Sequence, residues 1–298
     1  MKRQKVKTSR SDLIFYIING MIITLFFLVV LYPIIFVIAA SFSSGDAVSG
    51  GRVFLWPVEF SLDGYKTVFN NSAVLTGFRN SLLYMAVGTA INVVLTMCAA
   101  YALTRVDVPG INKIMFLFTF TMFFSGGMIP NYILIRNLHI MDSMWAMVLP
   151  GAINAYNLII ARTFIQSNIP KELYEAAQMD GCTDIRFFLK IVLPLSGAVI
   201  AVLVLFYGVA HWNSYFNAML YLNSPEKYSL PIILKQILIS SQIDPSTVSD
   251  PELQLQIARI ANVIKYALIV VTMIPIVIIY PFIQRYFVKG VMIGSIKG

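Results

Sequence analysis

Six stretches of this chain, 13–40, 81–103, 114–135, 144–161, 195–222 and 266–284, contain no Asp, Glu, Lys or Arg. Each approaches or exceeds the roughly 20 apolar residues that an α-helix needs to cross a bilayer. A segment in lipid must satisfy its own backbone hydrogen bonds, which a helix does internally. The sequence therefore predicts an all-α membrane protein with six transmembrane helices. Composition agrees, with 58% hydrophobic and only 12% charged residues over 298 positions. A soluble domain carries about 25% charged residues.

The charges fix the expected topology. An even number of crossings puts both termini on one side. Of the 22 Lys and Arg, 14 lie on that side, in 1–12, in the loops around Arg105–Lys113 and 162–194, and after 284. The other 8 lie opposite. The positive-inside rule then places both termini and the 162–194 loop in the cytoplasm. The net charge of +8 is the excess of basic over acidic residues on that one side, because the opposite side sums to zero. Nucleic acid is not needed to explain it. The basic start, Lys2 to Arg10, followed by an apolar run suggests a signal peptide, but the run at 13–40 far exceeds a signal core of about 7–15 residues. It reads as an uncleaved first span. Cys98 in a span and Cys182 in a polar loop imply no disulfide framework.

The expected organisation is a tail at 1–12, a six-helix domain at 13–284 and a tail at 285–298. Two loops on the outer side are long, 41–80 and 223–265. In the second, Pro231 suits a first helical turn. A short helix is expected there with Leu234, Ile237 and Leu238 on one face. In the third span, Ser125-Gly126-Gly127 with Pro130 should weaken or kink the helix, as a gating hinge or as a close packing contact.

The 168–194 loop is the most informative polar segment. Asn168 can cap a helix whose first turn holds Pro170 and Glu172. Gly181 can take positive φ and end it. Thr183 or Asp184 can cap a second helix, which Pro194 interrupts. The result is helix, glycine elbow, helix. Ala176 and Ala177 let a partner backbone approach closely, and Glu175 offers it a carboxylate.

This spacing, Glu175-Ala176-Ala177, Gly181 and Ile191-Val192-Leu193-Pro194, resembles the coupling loop of the membrane subunits of bacterial ABC importers. Further stretches carry the likeness along nearly the whole chain: Phe60-Ser61-Leu62-Asp63-Gly64-Tyr65, Asn80-Ser81-Leu82, Ala99-Ala100-Tyr101-Ala102-Leu103-Thr104-Arg105, Ser125-Gly126-Gly127-Met128-Ile129-Pro130, Trp212-Asn213-Ser214-Tyr215-Phe216 and Gln284-Arg285-Tyr286-Phe287-Val288-Lys289-Gly290. The sequence resembles carbohydrate-uptake permeases of the maltose-importer inner-membrane type, within them the lipoprotein-linked oligosaccharide subgroup. The resemblance implies the type I ABC importer permease fold in a bacterial plasma membrane. It implies a second homologous permease chain, two ATPase subunits and an extracellular solute-binding lipoprotein as partners, and a sugar, expected to be an oligosaccharide, as substrate, with another neutral solute such as a monosaccharide or glycoside as the alternative. It makes Glu175, Ala176, Ala177, Gly181, Ile191, Leu193 and Pro194 the ATPase-coupling residues, and Gly294, Lys297 and Gly298 a tail that reaches the ATPase. The chain has no G-x-x-x-x-G-K-[ST] phosphate loop, so ATP and magnesium are expected on the partner and no cofactor on this chain.

Sugars need amide and hydroxyl hydrogen bonds together with flat aromatic faces. Two spans offer that mixture: Asn154, Tyr156 and Asn157 in the fourth, and Tyr207, His211, Trp212, Asn213, Tyr215 and Asn217 in the fifth. These are the substrate-path candidates, although polar residues in spans also serve to bind neighbouring helices. His211 reads as a packing or hydrogen-bonding residue and His139 as a loop residue, so no metal site is expected. A secondary carrier would need coupling charges within the spans, which are absent. A membrane enzyme would need paired acids or a nucleophile set, and none is found, so no catalytic residue is expected.

Overall fold

The computed structural model describes residues 9–105, 109–240, 261, 263–281 and 284. Its regular elements are helices, and among the described residues there is no strand. The chain divides into two compact units, 1–70 with 237–271 and 71–236 with 272–298.

The first unit begins with α1 (Arg10–Ser41), where the Ser9 amide donates to the Asp12 carboxylate at 3.0 Å. Along 13–38 its apolar side chains are mostly exposed. A helix that is apolar all round and packs on little of its own chain is built for lipid or for another membrane subunit. Near its end a small core forms from Ala39, Ala40, Ala47 of α2 (Gly45–Ser49) and Val53. The 60–65 motif finds its role here. Phe42 stacks on Phe60 and packs against Tyr65, whose hydroxyl shares a 2.8 Å hydrogen bond with Ser41. Gly64, in α3 (Asp63–Asn70), lies so close to Val263 that a Cβ would meet its Cγ1 at 2.7 Å.

The second unit is organised on α4 (Ser72–Ala102), capped by the Asn71 side chain, which accepts from the amides of Ala73 and Val74. Then come α5 (Ile111–Phe123), α6 (Met128–Asn137), α7 (Met144–Val148), α8 (Ala155–Asn168), α9 (Lys171–Met179) and α10 (Asp184–Phe187). A π turn (Phe188–Val192) leads to α11 (Leu193–Leu195), α12 (Gly197–Trp212), α13 (Tyr215–Tyr221) and α14 (Leu230–Ser240). The last span is α15 (Val263–Pro281), which starts in the first unit and ends in the second. The main core joins Met97 and Ala100 of α4, Leu158, Ala161 and Ile165 of α8, Val199 and Leu203 of α12, and Phe187 and Val192 of the loop between them.

Three helices, α1, α4 and α15, are long and apolar enough to cross a membrane singly, and up to five crossings result if each bent pair is one span. The third expected span is the pair α5 and α6, bent by 116°. Gly127 supplies the break with φ +85, and Pro130 is tolerated because it sits in the first turn of α6, where amides lack helical partners anyway. The fifth expected span bends by 79° at Ser196, between the helical run Asp184–Leu195 and α12, and breaks again between α12 and α13. The fourth, 144–161, is not one helix. Pro150 and Gly151, with φ +75, separate α7 from α8.

One local expectation needs correction. Asn168 does not cap α9. It closes α8, its amide donating to the Phe164 carbonyl at 2.9 Å, and Pro170 takes the capping position. The short helix expected after Pro231 is α14, with Leu234, Ile237 and Leu238 half-buried and Leu230, Ile232 and Ile233 buried. The Leu230 amide donates to Ser81 Oγ at 2.9 Å, and Gly77 leaves the space that Ile233 fills. That anchoring fixes the rotation of α14.

Candidate coupling loop and substrate cleft

The elbow forms as the residue pattern requires. α9 runs to Met179, Gly181 takes φ +71, and Thr183 caps α10 by accepting from the Arg186 amide at 3.4 Å. A left-handed φ is disfavoured for any residue with a Cβ, which is why glycine stands there. Pro194 has no amide to donate and its ring crowds the carbonyl of Lys190. The π turn lies directly before it, at Phe188–Val192. Glu175 and Ala176 are exposed, and Ala177 is half-buried against the core. Ile191 and Leu193 are half-buried and Pro194 is exposed. Around the elbow Met179 is 89% and Ile185 73% exposed, so the loop presents apolar side chains that nothing among the described residues covers.

Aromatic contacts hold the loop to the end of α4. Tyr101 stacks on Phe188 at 5.1 Å between centroids, and Tyr174 meets Phe187 edge-on at 5.1 Å. The Arg105 guanidinium lies 3.7 Å from the centroid of the Tyr174 ring, donates to its hydroxyl, and comes within 3.5 Å of Asp184. Tyr174 in turn donates to Asp184 Oδ1 at 2.7 Å. Burial and the Asp184 carboxylate push the Tyr174 phenol above its ordinary pKa, with Arg105 pulling the other way. A cleft of about 510 Å³ opens beside this cluster, lined by Arg105, Gln166, Lys171, Tyr174, Glu175 and Gln178 among others.

A second cleft, of about 810 Å³, lies among α4, α8, α12 and α15. Six of the nine substrate-path candidates line it: Asn154, Tyr156, Asn157, Tyr207, His211 and Asn217. Among the described residues no Asp, Glu, Lys or Arg lines it. Tyr156 and Phe206 form one exposed aromatic wall, their centroids 6.4 Å apart. The remaining three candidates lie elsewhere. Trp212 is buried, its indole donating to the Thr272 carbonyl at 3.0 Å and its ring meeting Phe78 edge-on. Asn213 closes α12 and donates to the Val209 carbonyl at 3.0 Å. Tyr215 packs beside the core of Tyr84, Met147 and Ala218, with the Lys235 ammonium 4.5 Å from its ring centroid.

No protein-family model matches the chain. Individual proteins do. The polygalacturonan/rhamnogalacturonan transport system permease protein YtcP of Bacillus subtilis is 44% identical over 281 residues, covering 92% of this chain and 95% of the relative. The protein LplC of the same organism is 40% identical over 270 residues, covering 91% and 90%. The chain belongs to the family of sugar ABC-transporter permeases. Among solved structures, the permease is similar to a chain of a bacterial ABC transporter involved in import of the acidic polysaccharide alginate. That chain is 34% identical with a TM-score of 0.86, over 95% of the permease and 100% of its counterpart. A chain of the alginate transporter bound to a periplasmic protein carrying an alginate pentasaccharide is 15% identical with a TM-score of 0.58, and shares the fold.

Two sets of residues in the permease escaped the sequence reading. Asn92 and Thr96 on α4 face the fifth span: Asn92 Nδ2 lies 3.0 Å from His211 Nε2, and Thr96 Oγ1 is 2.7 Å from the Tyr207 hydroxyl. Tyr207 also accepts from the Asn154 amide at 3.0 Å, so one hydroxyl ties three helical segments. The signal was the stripe Gly88, Asn92, Thr96 and Ala100 at spacings of four, which puts all four on one face of a helix. Arg105 stood in a quoted motif without a role. The tail residues Gly294, Lys297 and Gly298 fall outside the described residues.

Proposed function

We propose that this permease carries an oligosaccharide across the plasma membrane of a bacterium as one half of an ATP-driven importer. It pairs with a homologous permease and receives substrate from an extracellular binding protein. Two separate subunits bind and hydrolyse ATP with magnesium, and both chain termini lie in the cytoplasm with the coupling loop. The observation that carries this reading is the pairing of an uncovered loop with a charge-free cleft in one helical unit. The loop presents Glu175, Ala176 and a glycine elbow edged by exposed Met179 and Ile185. The cleft presents amides, hydroxyls and an aromatic wall of Tyr156 and Phe206.

The two parts act together as follows. Apolar C–H faces of a sugar pack on Tyr156 and Phe206, while Asn154, Asn157 and Asn217 exchange hydrogen bonds with its hydroxyls. No formal charge in the cleft holds the sugar strongly, which favours release as well as entry. ATP-driven closure of the docked subunits displaces the coupling loop. The loop is joined to α4 and α8 through the core of Met97, Ala100, Leu158, Ile165, Phe187 and Val192, so the displacement reaches the helices that line the cleft. Two packed arrangements of these helices give an inward-open and an outward-open cleft.

The test is purification of this chain in mild detergent from its native membrane, with every co-purifying protein identified. A second permease and an ATPase should be recovered, and the associated binding protein should retain oligosaccharides when screened against glycans. Recovery of the chain alone, under conditions that keep other importers intact, would overturn the reading.

A further inference from the structure

We propose that Arg105 is a positioning residue for coupling: it clamps the two halves of the elbow to the end of α4, so that movement of the docked ATPase is passed on as one displacement. The inference rests on the importer reading above and concerns a residue to which neither the elbow spacing nor the cleft assigns a role.

α9 is held only lightly by its own chain. It buries no residue. A nine-residue helix that packs only Tyr174 and Ala177, both half-buried, against the core and joins the next helix through a glycine is weakly held unless something bridges the hinge. Tyr174 meets Phe187 of α10 edge-on, and Arg105 adds a polar bridge that also reaches the end of α4. Its guanidinium covers the Tyr174 ring on α9 at 3.7 Å and lies 3.5 Å from Asp184 at the start of α10. Tyr174 and Asp184 close the triangle with their own 2.7 Å hydrogen bond. The three side chains therefore come from α9, from α10 and from a position three residues past the end of α4. The Arg105 side chain is only 15% exposed, whereas that of Asp184 is 61% exposed. The ion pair alone would count for little at such exposure. The stacking on Tyr174 and the sheltered guanidinium make the contact specific to arginine, whose planar fork stacks and pairs at once where a lysine cannot.

A clamp of this kind predicts loss of transmission without loss of docking. The docking face, with Glu175, Ala176, Met179 and Ile185, is exposed on the loop. Arg105 instead faces Tyr174 and Asp184 at the end of α4.

The experiment uses the whole importer in lipid vesicles, with Cys98 and Cys182 replaced by serine and Phe206→Cys as a reporter in the cleft. A small neutral maleimide reads the accessibility of the reporter with and without ATP. ATPase co-purification and ATP hydrolysis are measured alongside. With Arg105 present, ATP should change the labelling rate by about tenfold, within the usual range of coupling between sites. Arg105→Ala should retain the ATPase subunits and hydrolyse ATP, yet lose most of that response, and Arg105→Lys should not restore it. Asp184→Asn and Tyr174→Phe, which keep side-chain shape, should give intermediate responses and decide the matter if Arg105→Ala fails to insert. An undiminished response in these variants overturns the clamp. So does loss of the ATPase from the complex, which would make Arg105 a docking residue. If the complex with Arg105 intact holds no ATPase, the importer reading fails instead.

Discussion

Gly88→Ala is a small change with a large expected consequence. A Cβ at position 88 would lie 2.4 Å from His211 Nε2, 2.6 Å from Cε1 and 2.8 Å from Cδ2. Ordinary contact distances are about 3.5–4.0 Å, so the imidazole must retreat by roughly 1 Å. It has little freedom to do so, because His211 is 9% exposed and its Nε2 is held by Asn92 at 3.0 Å. Overpacking of this kind costs about 1–3 kcal/mol. Losing the interhelical hydrogen bond adds about 0.6–2 kcal/mol in a membrane protein. The sum is on the order of 2–4 kcal/mol, or a fall in apparent Tm of roughly 5–10 °C for a protein of this size. The assay is thermal unfolding of the detergent-solubilised complex for four chains: unmodified, Gly88→Ala, His211→Ala, and both together. His211→Ala alone removes the partner of Asn92 but gives Cβ88 room. The double variant should therefore be no less stable than His211→Ala, and the interaction energy should exceed about 1 kcal/mol. Additive losses, or a Gly88→Ala chain as stable as the unmodified one, would refute the argument that glycine stands at 88 to admit His211.

Two further outcomes follow from the loop geometry. Gly181→Pro, at a position with φ +71 that proline cannot reach, should abolish ATPase co-purification while leaving the chain in the membrane, and undiminished co-purification would sink the elbow reading. Asp142, in the loop between α6 and α7, accepts from the amides of Asn223 and Ser224 and from Lys227 Nζ at 2.8 Å. Burial raises its pKa, but these bonds and that of the Ser224 hydroxyl outweigh it and hold the carboxyl well below its ordinary value. A depressed carboxylate stabilises the fold above its unfolded pKa of about 3.9 and loses that contribution as pH falls toward the folded value. Asp142→Asn should therefore cost about 1–2 kcal/mol at pH 7, discounted for a Lys227 side chain 41% exposed. In unfolding scans the gap between the two chains should stay constant from about pH 7 to pH 5 and narrow below about pH 4. A gap that narrows already near neutrality would contradict the assignment.

Hydropathy located the membrane helices well where a span is one helix. α1, α4 and α15 match 13–40, 81–103 and 266–284 to within a few residues at most ends, and α4 begins earlier because Asn71 caps it. Hydropathy is an average over a window, and it passes over single residues that break a helix without adding polarity. That is how Pro150 and Gly151 divide 144–161 unseen, whereas the Ser125-Gly126-Gly127 run was dense enough to announce the bend before α6. The elbow at Gly181 was legible because its signals are local: a glycine, a threonine cap and a proline. The cleft was legible only in part. Residues 211, 212 and 213 are each about 100° apart around a helix, so a polar cluster in sequence points three ways in space. His211 reaches the cleft, Trp212 reaches Thr272, and Asn213 ends the helix. The face each side chain takes was decided by Gly88 and Asn92 on another helix, which no reading confined to one segment supplies.

The unbroken course of α4 gives these separate features one mechanical sense. Near its start, Asn80 donates to the carbonyls of Glu226 and Tyr228, Ser81 receives the Leu230 amide, and Tyr84 donates to the Lys227 carbonyl. In its middle, Gly88, Asn92 and Thr96 engage His211 and Tyr207 beside the cleft. Past its end, Arg105 grips Tyr174 and Asp184. Ser81, Tyr84, Gly88, Asn92, Thr96 and Ala100 are all buried and recur at spacings of three and four, so the first two stations lie on one face. The neighbouring spans are interrupted, at Phe124–Gly127, at 149–154 and at Ser196, whereas α4 is one continuous helix without proline over 31 residues. An α-helix of that length is a rod of about 46 Å. A rod that is gripped at the elbow loop and bonded along one face resists a shift at one station that leaves the others in register. A displacement delivered at Arg105 must either move the cleft wall or break the Asn92–His211 and Thr96–Tyr207 bonds. On this argument, weakening the middle station with Asn92→Ala and weakening the clamp with Arg105→Ala interrupt the same transmission at two points.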